Sequence, residues 1–242
     1  MGKLLERRSE AEPIPELRDG DRISKAEFWR RYGASKTVRR AELIEGVVHV
    51  ISASHAPIGN EGHGGPQGDS LFWLGSYAVA TYGVRPSGPS TIRGLDPASS
   101  PEPDALLRIL PECGGRTDTD ADDYLVRGPE LIVEIAKATA SIDLGPKLRT
   151  NCDDGVPEYL VWRTRHRIID WFQLDRNGEY VPLVPDADGI HKSRVFPGLW
   201  LAGSAIIAGD MATVLAVVGR GIVTPEHAKF VEKLRKKASK KR

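Results

Sequence analysis

The clearest strand pattern in the chain is the apolar run 131–136, within the segment GPELIVEIA, and it contains one carboxylate, Glu134. Side chains alternate between the two faces of a strand. Leu131, Val133 and Ile135 are therefore predicted to face one side and Glu134 the other. A buried ionised carboxylate is unfavourable unless a cation, hydrogen bonds or a metal compensates it. The pattern thus predicts a strand with a charge whose partner lies elsewhere in the chain.

Other apolar and alternating runs predict the remaining elements. Strands are expected over 47–51, 104–110, 158–162, 167–174 and 180–184, after a short element over 41–45. Helices are expected from Ser24 as N-cap, from about Asp69 to Tyr82 with Asp69 or Ser70 as N-cap, from about Leu144 to Asp153 with Gly155 at its end, and over 224–242. Together they predict an α+β fold of α/β/α type, with a central mixed sheet flanked by helices.

The length of 242 residues suits one large domain with extensions. We predict a flexible lead-in over 1–20, a main domain over 21–208, and a C-terminal extension over 209–242. The last ten residues, KLRKKASKKR, contain seven Lys or Arg and no acid. Such a tail is usually solvated and disordered, and contact with nucleic acid is the alternative.

Composition excludes several classes of function. The net charge of +1 gives the whole molecule no bias towards polyanions. Cys113 and Cys152 are far apart and in no zinc-site spacing. There is no apolar signal segment and no apolar run of about 20 residues, so a cytoplasmic protein without membrane contact is expected. Walker, HExxH and GxSxG motifs are missing from the sequence.

A second carboxylate, Asp104, follows a proline in PEPD and opens the strand that precedes Glu134 in the chain. If these strands are neighbours, Asp104 and Glu134 converge at one end of the sheet. Two hard oxygen donors suit Mg²⁺, which keeps several waters and needs only one or two carboxylates. A lysine is expected as the third residue of such a site, since its positive charge can stabilise the phosphate or the attacking water.

The position of that lysine is ambiguous. In the PD-(D/E)xK nuclease pattern, lysine stands two residues after the acid and on the same strand face, where this chain has Ala136. Lys137 is adjacent but is predicted to face the opposite side. Lys147, on the following helix, can reach back over the strand end. We therefore favour Lys147 and keep Lys137 as the alternative.

Several segments together resemble the Uma family of restriction endonucleases, within the PD-(D/E)xK superfamily. They are AELIEG, PEPDALL, GPELIVEI, the 143–147 spacing, and GVPEYLVW followed by RIIDWFQL. The resemblance, over about residues 22–205, implies a restriction-endonuclease-like core and Mg²⁺-dependent hydrolysis of DNA, with Mn²⁺ as a substitute. It places Asp104 and Glu134 as metal ligands, Lys147 as the displaced lysine, and Glu42 as the acid from an N-terminal element. Glu45 is the alternative to Glu42.

The chain departs from the family pattern in two places. Lys137 replaces a serine that commonly follows the strand, and the loop HAPIGNEGHGGPQG is longer and richer in glycine than expected. This loop lacks the spacing of a phosphate-binding loop, so a flexible loop is predicted. His55 and His63 within it are expected to be solvated, with a phosphate or metal contact as the alternative. Asp143 is expected to cap the next helix, with a contact to Lys147 as its second role.

The rival hypothesis is a nuclease-fold protein that binds nucleic acid or a protein partner without cutting, because fold alone does not establish function. The near-neutral charge favours this rival, since nucleases often present a basic face. The acid–acid–lysine set favours the enzyme. A homodimer would suit an enzyme that cuts both strands of a duplex.

Overall fold

The computed structural model describes residues 13–51 and 63–240. Its strands are β1 Ala41–Ile44, β2 Val47–Val50, β3 Val84–Ser87, β4 Ala105–Ile109, β5 Leu131–Ala136, β6 Glu158–Arg163, β7 Ile168–Leu174, β8 Tyr180–Pro182, β9 Ile190–Lys192 and β10 Trp200–Ala202. Its α-helices are α1 Lys25–Ala34, α2 Gly64–Ala80, α3 Ala140–Asp143, α4 Pro146–Asp153, α5 Gly203–Ala208, α6 Met211–Ile222 and α7 Pro225–Lys240, with a 3₁₀ turn at Pro111–Cys113.

A six-stranded mixed sheet, ordered β3-β4-β5-β6-β7-β8, forms the centre of the molecule. All neighbouring strands are antiparallel except β5 and β6, which are parallel and are connected through α3 and α4. A parallel pair requires such a crossover. The predicted α+β fold with a central mixed sheet and flanking helices is confirmed.

The two faces of the sheet are covered by different elements. Leu131, Val133 and Ile135 pack in the larger core with α2, α5, α6, α7, β9 and β10. Ile132 and Ala136 pack in a smaller core on the opposite face, beside α3 and α4. The alternation predicted for β5 is therefore confirmed, and Glu134 lies on the face covered by α3 and α4.

A small third unit consists of α1 and the hairpin β1–β2, with its own apolar cluster around Phe28 and Leu43. Ser24 caps α1 by accepting a hydrogen bond from Glu27 N at 3.2 Å, as predicted. The hairpin turns through Glu45 and Gly46, both at positive φ, the conformation of a two-residue primed turn. This hairpin brings β1 against α4.

Helix α2 begins at Gly64. The predicted N-cap at Asp69 or Ser70 is therefore wrong, and residues 64–68 are helical rather than part of a flexible loop. Pro66 lies in the first turn, where its missing N–H has no helical partner to lose. The buried residues Trp73 and Tyr77 anchor the helix in the core, and this packing overrides the weak helix propensity of glycine. His55 and the rest of 52–62 lie outside the described residues.

The segment after β5 forms two short helices rather than one. Gly145 lies outside the helical region, with φ −116° and ψ −107°, and Pro146 opens α4. A residue before proline avoids the helical conformation, which separates α3 from α4. Asp143 is therefore the last residue of α3 and does not cap α4, so its predicted capping role is wrong. Gly155, at φ +67°, follows the end of α4 as predicted.

Both ends of the described chain pack against the body. Leu17 is buried, and Gly20 N donates to Val48 O at 2.8 Å. The terminal helix is confirmed as α7, which buries Leu234 and Ala238 in the larger core, so the basic tail is helical rather than disordered as far as residue 240. The boundaries drawn at residues 20 and 208 stay predictions. Within the described residues, the helices are too short or too polar to cross a membrane.

Candidate active site

Asp104 and Glu134 lie side by side on neighbouring strands. Ala105 of β4 pairs with Val133 of β5 in antiparallel register, so the next position places Asp104 opposite Glu134. Asp104 Oδ2 accepts a hydrogen bond from Ile135 N at 2.8 Å, which fixes one edge of its carboxylate against β5. The predicted convergence of the two acids at one end of the sheet is therefore present in the structure.

Lys147 supplies the cation that Glu134 needs. Its Nζ lies 2.9 Å from Glu134 Oε1, 3.0 Å from Glu42 Oε2 and 3.7 Å from Asp143 Oδ1. The side chain comes from α4 and reaches over the end of β5. Three carboxylates thus surround one ammonium in a buried cluster.

Asp143 lies close to Lys147, which is the second of the two roles predicted for it. It precedes Lys147 by one helical turn of spacing, and Thr139 Oγ1 donates to its Oδ2 at 2.5 Å. Tyr159 Oη donates to the backbone carbonyl of Asp143 at 2.9 Å. Asn151 Nδ2 donates to the carbonyl of Lys147 at 2.9 Å. These bonds hold the two helices so that both charges point to the same place.

Glu42 approaches the cluster from β1. Its Oε2 contacts Lys147 and also accepts a hydrogen bond from Glu102 N at 3.0 Å. The side chain of Glu102 in turn accepts from Arg40 Nε at 2.5 Å and from Thr91 Oγ1 at 3.3 Å. The N-terminal hairpin is therefore connected to the sheet through Glu42 and Glu102.

His63 contacts the outer oxygen of Asp104, so the prediction of a solvated loop histidine is wrong. His63 Nε2 lies 2.9 Å from Asp104 Oδ1, and its Nδ1 lies 3.2 Å from Ile135 O. The hydrogen bond to Asp104 raises the pKa of His63. The ring is half-buried at the start of α2 and spans from β4 to β5.

The charge states follow from burial and from the neighbours. Burial raises the pKa of Glu134 well above its usual value, against the attraction of Lys147. Burial likewise raises the pKa of Asp143. Burial lowers the pKa of Lys147, but Glu134, Glu42 and Asp143 outweigh it and raise that pKa well above its usual value. Lys147 is therefore an ammonium held by ion pairs with these carboxylates.

The alternative lysine, Lys137, and the alternative N-terminal acid, Glu45, lie outside the cluster around Lys147. Lys137 is half-exposed at the end of β5 and takes no part in these contacts. Glu45 is in the β1–β2 turn and pairs with the exposed Arg149 at 3.0 Å. The cluster therefore consists of Glu42 and Lys147, together with Glu134 and Asp143.

The donor chemistry of the site fits a small divalent cation. Asp104 and Glu134 offer two carboxylates on adjacent strands, and Mg²⁺ needs only one or two with the rest from water and phosphate. Glu134 Oε1 is buried and accepts no directed hydrogen bond from the described residues, although Lys147 Nζ is close to it. The same residues contain no cluster of three or more His, Cys, Asp or Glu side chains arranged to hold a metal.

The sequence contained one signal for the role of Asp143 and little for that of His63. A spacing of four residues would place Asp143 and Lys147 on one side of a continuous helix, and the two side chains stay close although the helix is broken at Gly145. His63 has no such signal, because its contact with Asp104 depends on where α2 begins. Arg40 and Glu102 were also missed, since they are far apart in the chain.

Comparison with known proteins agrees with this fold, which is that of a nuclease-like protein. The model of the family Uma2, described as "Putative restriction endonuclease", matches residues 26–204, and the chain belongs to this family. The structure is similar to the crystal structure of "a putative nuclease belonging to DUF820" from Anabaena variabilis ATCC 29413, with a TM-score of 0.55 and 12% identity over 81% of this chain and 99% of that chain. That likeness shows a shared fold. No curated protein matches the chain.

Proposed function

We propose that the protein is an Mg²⁺-dependent endonuclease that hydrolyses phosphodiester bonds in DNA, with Mn²⁺ as a substitute metal. The observation that carries the proposal is the meeting of Asp104, Glu134 and Lys147 at one end of the central sheet. Membership of a family described as a restriction endonuclease supports the substrate class. The proposal places the enzyme in the cytoplasm, and as a homodimer where both strands of a duplex are cut.

Asp104 and Glu134 would hold the metal, since both are hard oxygen donors on adjacent strands. When bound, the metal would polarise a phosphate oxygen and a water molecule. His63 holds one oxygen of Asp104 and Ile135 N holds the other, so the orientation of this carboxylate is set before substrate arrives. Orientation of this kind lowers the reorganisation needed in the transition state.

Lys147 would offset negative charge that develops on the phosphate. Its raised pKa keeps it protonated, so it acts by charge and hydrogen bonding and not by removing a proton from water. Glu42 and Asp143 hold the ammonium in place from two other elements. In this role Lys147 contacts the substrate, whereas Glu42 and Asp143 are positioning residues.

A second candidate, a nuclease-fold protein that binds without cutting, is favoured by the burial of the cluster. The exposed fractions of Glu134, Lys147 and Asp104 are 1%, 3% and 8%. A metal ion and a phosphate need access to these atoms. Buried ion pairs also occur as purely structural networks, so this arrangement would serve a binding protein as well.

Cleavage of supercoiled plasmid separates the two candidates. The assay compares wild type with Glu134→Gln, which keeps the side-chain shape, and with Glu45→Gln, an exposed control in the neighbouring turn. Each protein is assayed with Mg²⁺, with Mn²⁺ and with EDTA, after circular dichroism has confirmed that it is folded. Metal-dependent nicking by wild type and the control, but not by Glu134→Gln, supports the enzyme. A folded wild type that does not nick DNA supports the binding protein, and equal nicking by all three indicates a contaminant.

A further inference from the structure

A cleft of about 440 Å³ opens beside the candidate active site, between the N-terminal unit and the edge of the sheet. Its walls include Tyr32, Arg39, Arg40, Thr91, Arg108 and Tyr124. Two acids, Glu102 and Asp123, also line it, and Glu102 is already paired with Arg40. Three arginines against two acids leave the cleft with an excess of positive charge.

Two of these arginines have a buried nitrogen without a hydrogen-bond partner in the described part of the chain. Among the described residues, no hydrogen-bond partner reaches Arg40 Nη2 or Arg108 Nε. Buried donors are nearly always paired, and leaving one unpaired is unfavourable. A guanidinium donates through a planar fork that matches the oxygens of a phosphate. Both side chains are partly exposed and line the cleft, so their guanidinium groups are placed to meet an anionic ligand.

The pairing of the edge strands gives an independent indication of the same kind. Arg108 on β4 is directly opposite Arg85 on β3 in antiparallel register. Like charges directly opposite each other destabilise a strand pair. A chain that keeps two arginines here gains stability when an anion lies between or beside them. An anion bound to Arg108 would reduce this repulsion, although Arg85 itself does not line the cleft.

The cleft is physically connected to the candidate active site. Arg40 Nε donates a hydrogen bond to the side chain of Glu102, and Glu102 N donates one to the side chain of Glu42. Glu42 in turn forms an ion pair with Lys147. Arg108 lies two residues after Leu106 on β4, so the two side chains are on the same face of the sheet. Leu106 packs in the smaller core together with Ile132 of β5. Arg108 is thus on the same face of the sheet as Glu134.

We propose that this cleft binds a backbone phosphate of DNA through Arg40 and Arg108, on the same face of the sheet as the candidate active site. The inference rests on the proposed function and adds the surface that holds the substrate. A phosphate suits the charge of the two guanidinium groups, and the rings of Tyr32 and Tyr124 offer apolar surface for the adjoining sugar or base. Arg108 is the residue to change, because Arg40 also pairs with Glu102.

The test is fluorescence anisotropy of a labelled DNA duplex in EDTA over a series of salt concentrations. It compares wild type with Arg108→Gln and with the control Arg176→Gln, an exposed arginine between β7 and β8 at the far edge of the sheet. We expect Arg108→Gln to bind about tenfold more weakly and its salt slope to fall by about one, with the control unchanged.

A thermal melt without DNA distinguishes a ligand-binding arginine from a structural one. Since Arg85 faces Arg108, replacing Arg108 by glutamine should leave the melting temperature unchanged or raise it. A lowered melting temperature together with unchanged DNA affinity would identify a structural arginine and overturn the inference. Wild type that binds no duplex would overturn it as well.

The outcomes separate this inference from the proposed cleavage. Loss of affinity in Arg108→Gln, with no metal-dependent nicking by wild type, would support the cleft and reject the endonuclease. Nicking by wild type, with equal affinity in wild type and Arg108→Gln, would support the endonuclease and reject the cleft. Both effects together support both proposals.

Discussion

Lys147 Nζ of α4 lies 2.9 Å from Glu134 Oε1 in the middle of β5, and both side chains are almost completely buried. Glu42 and Asp143 complete the surroundings of the ammonium. Breaking a buried ion pair is strongly destabilising, because it leaves the other charge uncompensated. The contacts of Lys147 with Glu134 and Glu42 therefore hold β5, β1 and α4 together.

Replacing Lys147 by methionine should lower the free energy of unfolding by about 3–5 kcal/mol at pH 8. The loss should be smaller at pH 5, because the buried carboxylates, whose pKa values are already raised, take up protons in the folded state. Urea denaturation at both pH values measures this. The matched control is Lys137→Met, at the half-exposed alternative position. If Lys137→Met were the more damaging change, the assignment of the lysine would be wrong.

Glu42 and Glu45 should respond differently to the same substitution. Glu42→Gln leaves Lys147 with one carboxylate fewer in a buried place, and we expect a loss of about 1–3 kcal/mol in the free energy of unfolding. Glu45→Gln removes a pair with an exposed arginine, which solvent screens, so no measurable change is expected. Chemical denaturation of the two variants in one buffer compares them directly. Equal losses would contradict the placement of Glu42.

Metal binding should depend on Asp104. Asp104→Asn removes one charged oxygen donor, and we expect its Mg²⁺ affinity to fall at least about tenfold relative to wild type, as charge on the ligands dominates binding of hard cations. Isothermal titration calorimetry measures the affinity without requiring cleavage. Glu45→Gln again serves as the control and should bind as wild type does. Unchanged binding by Asp104→Asn would place the metal elsewhere.

We expect the stability of the fold to depend on pH through Glu158, a buried residue outside the cluster of Lys147 and its carboxylates. Burial raises its pKa to about 7, although Ser193 Oγ and Arg194 N donate hydrogen bonds to it. Between its usual pKa near 4.5 and this value, the folded state holds a proton that the unfolded state has lost. Stability from this group is therefore greatest below about 4.5 and decreases as pH rises to about 7, by about 3 kcal/mol.

The comparison that isolates this effect is Glu158→Gln, which cannot ionise. From about pH 4.5 to 7, the free energy of unfolding of wild type should fall relative to that of the glutamine variant. Above about pH 7, the difference between the two proteins should be constant. Denaturant titrations at several pH values measure it. A difference that does not change with pH would mean that Glu158 ionises normally in the folded protein.

Much of the candidate site follows from local sequence patterns. The alternation in 131–136 placed Glu134 on the face opposite Leu131, and the order of the strands suggested Asp104 as its neighbour. The choice of Lys147 over Lys137 came from the same alternation. The placement of these side chains could be predicted because the periodicity of a strand is a property of the backbone, and it needs no knowledge of distant residues.

The tertiary structure decided what depends on contacts between distant segments. Packing of Trp73 and Tyr77 extended α2 back to Gly64 and so brought His63 to Asp104. The separation of α3 from α4 removed the predicted capping role of Asp143, and the contact with Lys147, its second predicted role, is the one present in the structure. Local propensities differ by less than about 1 kcal/mol per residue, whereas a buried aromatic side chain contributes more, so packing overrides them.

The sequence by itself determined the strand that carries Glu134, the alternation of its faces, and the residue types needed for a metal and a phosphate. Only the tertiary structure decided that Glu42, rather than Glu45, faces Lys147, and that Arg40 and Arg108 line one cleft. The physical reason is that side-chain direction along one strand is set by neighbouring residues. The meeting of β1, β4, β5 and α4 is set instead by the burial of apolar surface across the whole domain.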